Sequence, residues 1–459
     1  MTSADTSQAT LFDWYTTNED RVHKDYFRFL SYESISTDPD YKDQVLECAG
    51  FVEEELRSIG FAVERWTTSG HPTLYAEWLK AGTDKPTVLI YNHYDVQPVD
   101  PLELWKSPPF EPTVRDGEVY ARGAQDNKGQ CWYTLQALKA LMERDGALPV
   151  NIKLCIEGEE ECGSAGLAGI LKQRAAQLRA DFLLVVDVGI HSMDAPSITL
   201  GTRGLVAMTI TATGSNTDMH SGSYGGIAYN PNHALIEILA KLRDADGRIT
   251  VPGFYEGVQE PSAGFDLDFD TDAYRNMFES EPTGGEKAYP PGISGTLRPT
   301  LEVNGISGGY TGPGFKTVIP AQASAKVSCR LVPGQDPHVV GERVARHIES
   351  LAPKGVTISV ALKPGGGIAS QSRPDSAVAQ AFRKAYEEVF QKPCASIVEG
   401  GSIPIAADLA KTAGAETLFV GLALPGDAIH APNEHFGLDR LKKGFLIVAR
   451  GLEHLGQTG

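Results

Sequence analysis

The stretch Thr87-Val88-Leu89-Ile90-Tyr91-Asn92-His93-Tyr94-Asp95 decides the fold. Its first five residues are apolar or β-branched almost throughout, the pattern of a strand buried on both faces of a parallel sheet. The run then stops on His93 and Asp95, two residues apart, whose side chains leave an extended segment on the same side. The pattern recurs downstream. Residues 150–156 read as a strand that leads into Glu157-Gly158-Glu159-Glu160-Glu161, residues 182–186 as one that leads into Asp187, and residues 417–422 as one that leads to His430. His435, in the same loop as His430, competes with it. Ligands of open α/β sheets bind outside the carboxyl ends of the strands, so these distant residues can meet in one crevice.

Working outward, helical periodicity appears over residues 18–30, 41–58, 127–143, 165–178, 376–390 and 434–455, and further strands over 61–66 and 73–78. Strands alternating with helices predict an α/β architecture: a mostly parallel sheet with helices on both faces. Near Gly201 the character changes. Residues 206–212 alternate like a half-exposed strand, a helix is expected over 232–242, and a Gly- and Pro-rich stretch fills 253–299. Strands at 301–303, 323–331 and 356–362 and a helix at 337–350 complete a separate α+β domain. The expected organisation is one domain made of 1–203 and 371–459, with 204–370 inserted into it.

Composition narrows the function. A chain of 459 residues with 41% apolar content is long enough for two cores. A formal net charge of −18 argues against a nucleic-acid partner, which needs clustered Lys and Arg. The N-terminus lacks a basic segment followed by an apolar one, and no run of about 18 apolar residues exists, so neither a signal peptide nor a membrane span is expected. The six Cys are scattered without a C-x-x-C pair, which fits thiols in a reducing, cytoplasmic setting.

Each acid or imidazole has a plain reading when taken alone. Asp126, in Ala121-Arg122-Gly123-Ala124-Gln125-Asp126-Asn127-Lys128-Gly129, could simply cap the helix that follows. Glu159-Glu160-Glu161 could be a solvated acidic run, Asp187 a turn residue, and His430 a structural residue at a helix entrance. Together they make a different set. Two His and three carboxylates, one of them shared, suit a pair of divalent ions. Of the neighbouring Glu160 and Glu161, one can bind metal while the other takes a proton from water.

These segments resemble the dinuclear-metal aminoacyl dipeptidases and carboxypeptidases related to cytosolic nonspecific dipeptidase and carnosinase. The resemblance runs over nearly the whole chain: H-Y-D-V-Q-P-V, A-R-G-x-x-D-x-K-G, E-G-x-E-E-x-G-S, M-H-S-G-x-x-G-G, K-T-V-I-P, R-L-V-P-G-Q, G-G-S-I-P and the His430 segment, in that order. It implies one metal on His93, Asp126 and Asp187, and a second on Asp126, Glu161 and His430. It also implies Glu160 as general base, Asp95 as the buttress of His93, and a cis peptide after Asp126. Many relatives have a second Asp where this chain has Asn127. The inserted domain becomes a lid and dimerisation domain. His220 would polarise the scissile carbonyl at the partner subunit's site in a homodimer, Arg330 would grip the substrate's carboxylate, and Gly401 and Ser402 would line its terminus.

The implied activity is amide hydrolysis of dipeptides or short peptides with a free C-terminal carboxylate, by water activated at two Zn or Mn ions. Deacylation of N-acyl or N-carbamoyl amino acids, cleavage of a xenobiotic amide, and a catalytically inactive metal-binding dimer stand as alternatives. A two-metal phosphodiesterase fits poorly, for want of a phosphate cradle.

Overall fold

A computed structural model describes residues 3–261, 265–363, 366–401 and 403–457. The chain divides into two compact units. One comprises Met1–Gly201, Ser372–Ile397 and Asp408–Gly459; the other comprises Thr202–Gln371 and Val398–Ala407.

At the centre of the first unit four strands run parallel, in the order Asn151–Glu157, Thr87–His93, Phe182–Val186 and Glu416–Val420. Their residues are almost entirely buried, as their unbroken apolar runs require. The flanks differ from the sequence reading. Ala62–Trp66 and Thr73–Trp78 form an antiparallel pair that joins Asn151–Glu157, also antiparallel. Ser197–Thr202, a strand beyond those the sequence predicts, pairs antiparallel with Glu416–Val420. The architecture is nonetheless mixed α/β around a mostly parallel central sheet. All four parallel strands end on one side, so His93, the segment after Glu157, Asp187 and the loop after Val420 are delivered to a common rim.

Helices Lys42–Ile59, Lys128–Asp145, Ala165–Leu178, Ala377–Phe390 and Leu438–Gly456 lie within a few residues of their expected positions. The first helix does not. It spans Ser3–Leu30, well upstream of the periodicity at 18–30. Its polar upstream part is drawn into helix by tertiary packing: Leu11 and Tyr15 are fully buried and Trp14 stacks on Phe445, with ring centroids 5.5 Å apart. Helix Pro404–Ala413 and strand Ala395–Glu399 were likewise not foreseen.

The second unit carries a four-stranded antiparallel sheet in the order Thr300–Gly308, Gln322–Leu331, Gly204–Thr213 and Thr357–Leu362. Its alternation is regular. Val206, Met208, Ile210, Val327 and Cys329 face a core that also takes residues of helices Pro231–Ala240 and Pro337–Ser350. Short helices Thr271–Phe278 and Pro291–Thr296 punctuate the loop-rich stretch. Among the described residues no helix is long and apolar enough to cross a membrane. None of the six cysteines is in a disulfide, and only Cys162 is exposed.

Candidate metal centre

At the rim of the first unit's sheet, His93 is fully buried and its ring is held from one side by Asp95. His93 Nδ1 lies 3.1 Å from the Asp95 carbonyl and 3.3 Å from its Oδ1. The other ring nitrogen points at acids: Nε2 is 3.1 Å from Asp126 Oδ1 and 3.7 Å from Asp187 Oδ2. Asp126 turns its second oxygen the other way, 2.9 Å from His430 Nε2, which is itself 3.2 Å from Glu161 Oε2. Two triads result, His93–Asp126–Asp187 and Asp126–Glu161–His430, each with ligand atoms mutually within 4.8 Å and sharing only Asp126. Of the two competing imidazoles His430 is the one that reaches the acids; His435 stacks on Tyr120 and bonds the Asn433 carbonyl at 2.9 Å.

Backbone and side-chain contacts fix these positions. Asp95 accepts from Glu160 N (3.2 Å), Glu161 N (3.0 Å) and Ser36 Oγ (2.6 Å), so one carboxylate orients both His93 and the acidic turn. The Asp126–Asn127 peptide is cis. Gly129 is obligatory just beyond it, because a Cβ there would sit 2.1 Å from the Ala124 carbonyl oxygen. The Asn127 side chain makes four bonds. Its Oδ1 accepts from Asn92 Nδ2 (2.8 Å) and His93 N (3.2 Å), and its Nδ2 donates to Val186 O (2.8 Å) and Asp187 Oδ1 (2.7 Å). A carboxylate could not make the last two bonds. The amide therefore ties the strand that ends at His93 to the one that precedes Asp187.

Gln97 and Glu434 escaped the sequence reading. Gln97 Nε2 donates to Glu161 Oε2 at 2.7 Å; its place in the H-Y-D-V-Q-P-V segment was the only signal available. Glu434 grips the loop that carries Asp126, and its position after Pro432-Asn433 gave no hint of that.

Electrostatically the cluster is loaded with negative charge. Burial, reinforced by Glu161, Asp126 and Asp95 and opposed by His93, pushes Glu160 up to about 7. Burial also raises Asp187 and Glu161, each further raised by Asp126. Burial would raise Asp126 too, but hydrogen bonds from His430 and His93 outweigh it and hold this carboxyl well below its usual range. Hydrogen bonds to Asp126 and then Glu161 push His430 up to about 10.

In the second unit, His220 lies on the two-residue strand Met219–His220, exposed, its Nδ1 accepting from Gly222 N at 3.0 Å. Arg330 sits half-exposed near the end of Gln322–Leu331, opposite Leu205 and Thr300. Gly401 is exposed, and its carbonyl accepts from Arg203 N at 3.1 Å. Ser402 lies outside the described residues.

A parallel sheet whose strand ends gather two imidazoles and a ring of carboxylates marks a metal-dependent hydrolase. Residues 89–454 match the model of peptidase family M20/M25/M40. The chain belongs to that family and is a metallopeptidase. It is 32% identical over 452 residues to the Cys-Gly metallodipeptidase dug1 of Schizosaccharomyces pombe, covering 94% of each chain. Among solved structures it is similar to the metallo-carboxypeptidase Sso-CP2 of Sulfolobus solfataricus (TM-score 0.81, 30% identity, 95% of this chain and 99% of that one). It is also similar to human carnosine dipeptidase 1 (TM-score 0.77, 28% identity, 98% and 99%).

A metal ion that binds through His430 would have to displace the proton on its ring. An imidazole ligates in its neutral form, whereas His430 in the metal-free protein keeps its proton at pH 7 and gives it up only near 10. The stabilisation this proton gives the metal-free fold is complete below about 6.5, the ordinary His value, and disappears as pH rises through about 10. Zinc binding at pH 7 is therefore expected to release on the order of one proton or more, and affinity is expected to climb with pH. Calorimetric titrations in buffers of different protonation enthalpy check this; heats independent of the buffer would contradict it.

Proposed function

We propose that the protein is a two-metal dipeptidase acting on dipeptides or short peptides with a free C-terminal carboxylate. The observation that carries this reading is the pair of triads sharing Asp126, whose two oxygens point to opposite partners. The residues present suit two divalent ions. Each triad offers one imidazole and two carboxylates, and acids that raise one another's pKa are what a nearby dication would relieve. His93, Asp126 and Asp187 would hold one ion, and Asp126, Glu161 and His430 the other. Zn suits the imidazoles; the carboxylate-rich set also suits Mn. Bound there, the ions would supply the Lewis acidity that makes water a nucleophile at neutral pH.

The chain's own groups do the rest. Glu160, with a pKa near 7 and flanked by Asp95 contacts on its backbone, accepts the proton of the attacking water and hands it to the leaving amine. Asp95 keeps His93 in the orientation and tautomer that leave Nε2 as the ligating nitrogen. Gln97 and Asn127 perform the same service for Glu161 and Asp187. The family resemblance assigns the substrate carboxylate to Arg330, whose planar fork suits it, and its terminus to the Gly401–Ser402 loop. It assigns the scissile carbonyl to His220 from the partner subunit of a homodimer, a donor worth about 3–4 kcal/mol in a transition state. The names of the relatives, Cys-Gly metallodipeptidase and carnosine dipeptidase, support a small dipeptide over an N-acyl amino acid.

Glu160→Gln is expected to keep both zinc ions and lose at least about 10²–10⁴ of kcat on a dipeptide panel; undiminished turnover would remove Glu160 from its role. Greater turnover of N-acyl or N-carbamoyl amino acids than of dipeptides by the wild-type protein would replace the peptidase reading with a deacylase.

Arg330→Met is expected to abolish the preference for a dipeptide over its C-terminal amide, mostly through KM. His220→Ala is expected to lower kcat by about 10²-fold or more, and sedimentation should show a dimer. A preserved preference in the first variant, or a fully active monomer, would overturn the respective assignment.

A further inference from the structure

His430 is delivered by an awkward piece of backbone. Between Asp427 and Glu434 three non-glycine residues, Ala428, His430 and Asn433, adopt φ of 56°, 58° and 66°, a region L side chains rarely occupy. Such a segment keeps its shape only where its surroundings hold it, and three side chains do so here. Asp427 Oδ2 accepts from Leu424 N (2.7 Å) and Arg440 Nη1 (2.6 Å). Asn433 bonds the backbone of another loop twice, its Nδ2 to Leu104 O (2.9 Å) and its Oδ1 from Lys106 N (2.8 Å).

Glu434 is the third anchor, and it reaches the other half of the site. It is 1% exposed. Its Oε2 accepts from Arg122 Nη1 (2.8 Å) and Gly123 N (2.9 Å), and its Oε1 from Gln125 N (3.0 Å) and Asp126 N (3.1 Å). The Glu434 carbonyl also accepts from Ala121 N. Arg122, equally buried, uses Nη2 on Pro98 O at 2.8 Å and so fixes the clasp to a third segment. One carboxylate therefore binds consecutive amides of the loop that ends in Asp126, four residues along the chain from His430.

We propose that Glu434 is a positioning residue for the second ion: it sets the register between the Asp126 loop and the His430 loop, so that both ligands reach one point. The inference rests on the two-ion reading and goes beyond it, because Glu434 belongs to neither triad. It also predicts an asymmetry. The first triad shares Asp126, but its other two members, His93 and Asp187, are held by Asp95 and Asn127, whereas in the second triad Asp126 and His430 both sit on loops that Glu434 joins, so the first triad should be less sensitive to its loss.

Glu434→Gln is the sharpest variant. It keeps the size of the side chain but offers one acceptor oxygen in place of two, and turns an NH2 group toward two N–H donors. The experiment measures the two Zn2+ affinities of the full-length chain by competition with a chromophoric chelator. The result expected for Glu434→Gln is one affinity weakened about 10–100-fold and the other, which shares only Asp126 with it, weakened several-fold less. His430→Ala should weaken the same ion, and the double variant should be no worse than the more severe single one. If both affinities are unchanged, or both fall equally, the proposal is overturned. If near-UV circular dichroism shows that Glu434→Gln does not fold, Arg122→Lys decides. It keeps the charge but cannot span Glu434 and Pro98 O together, and a selective loss of smaller size is expected, whereas unaltered affinities overturn the proposal. A wild-type chain that binds fewer than two zinc ions overturns the two-ion reading itself, a result distinct from any change in Glu434→Gln.

Discussion

Five acids and two imidazoles gathered at one rim of the sheet, most of them falling into two triads that share Asp126 and whose ligand atoms lie, within each triad, within 4.8 Å of one another, are the constraint that shapes the first unit. Like charges about 4 Å apart repel by about 4 kcal/mol even at an effective dielectric constant of 20, and here they are also withdrawn from water. Burial first, and then that repulsion, shift Glu160, Glu161 and Asp187 upward. A flexible loop would relieve it by moving apart. This fold does not allow that, because His93 is the last residue of a buried central strand and Asp187 follows the adjacent parallel one. Asn127 joins the two, and Asp95 fixes the acidic turn through its amides. The parallel sheet supplies the rigidity, and side chains that touch no ligand aim the acids inward.

How much of this the sequence revealed follows from the range of each interaction. His93, Asp126, the Glu160-Glu161 pair, Asp187 and the His430–His435 loop stood out as candidates because each follows or adjoins a strand or helix signal that is local; the choice within the pair and within the loop came from the family resemblance. The central strands were legible for the same reason, being continuous apolar runs. The upstream extension of the first helix was not, since its cause is Phe445, hundreds of residues away. The antiparallel flanks escaped too, because pairing direction is not written in the hydrophobic pattern of a short strand.

The clasp around the site was the least visible part. Glu434 and Arg122 looked like an unremarkable acid and base in separate loops; only folding shows that they meet, both buried. Asn127 read as the loss of one charge relative to relatives with a second Asp, whereas its amide is used at both ends. In the second unit the regular alternation of Gly204–Thr213 and Gln322–Leu331 made the sheet easy to find. The roles of His220, Arg330 and Gly401 came from family resemblance alone, because nothing local distinguishes them from ordinary surface residues.

Overlapping triads with Asp126 between them would hold two cations. Anomalous diffraction at the zinc absorption edge, from crystals of zinc-loaded protein, tests this most directly. Two peaks are predicted, one among His93, Asp126 and Asp187 and the other among Asp126, Glu161 and His430. A single peak, or zinc bound elsewhere while these side chains stay paired with one another, would contradict it.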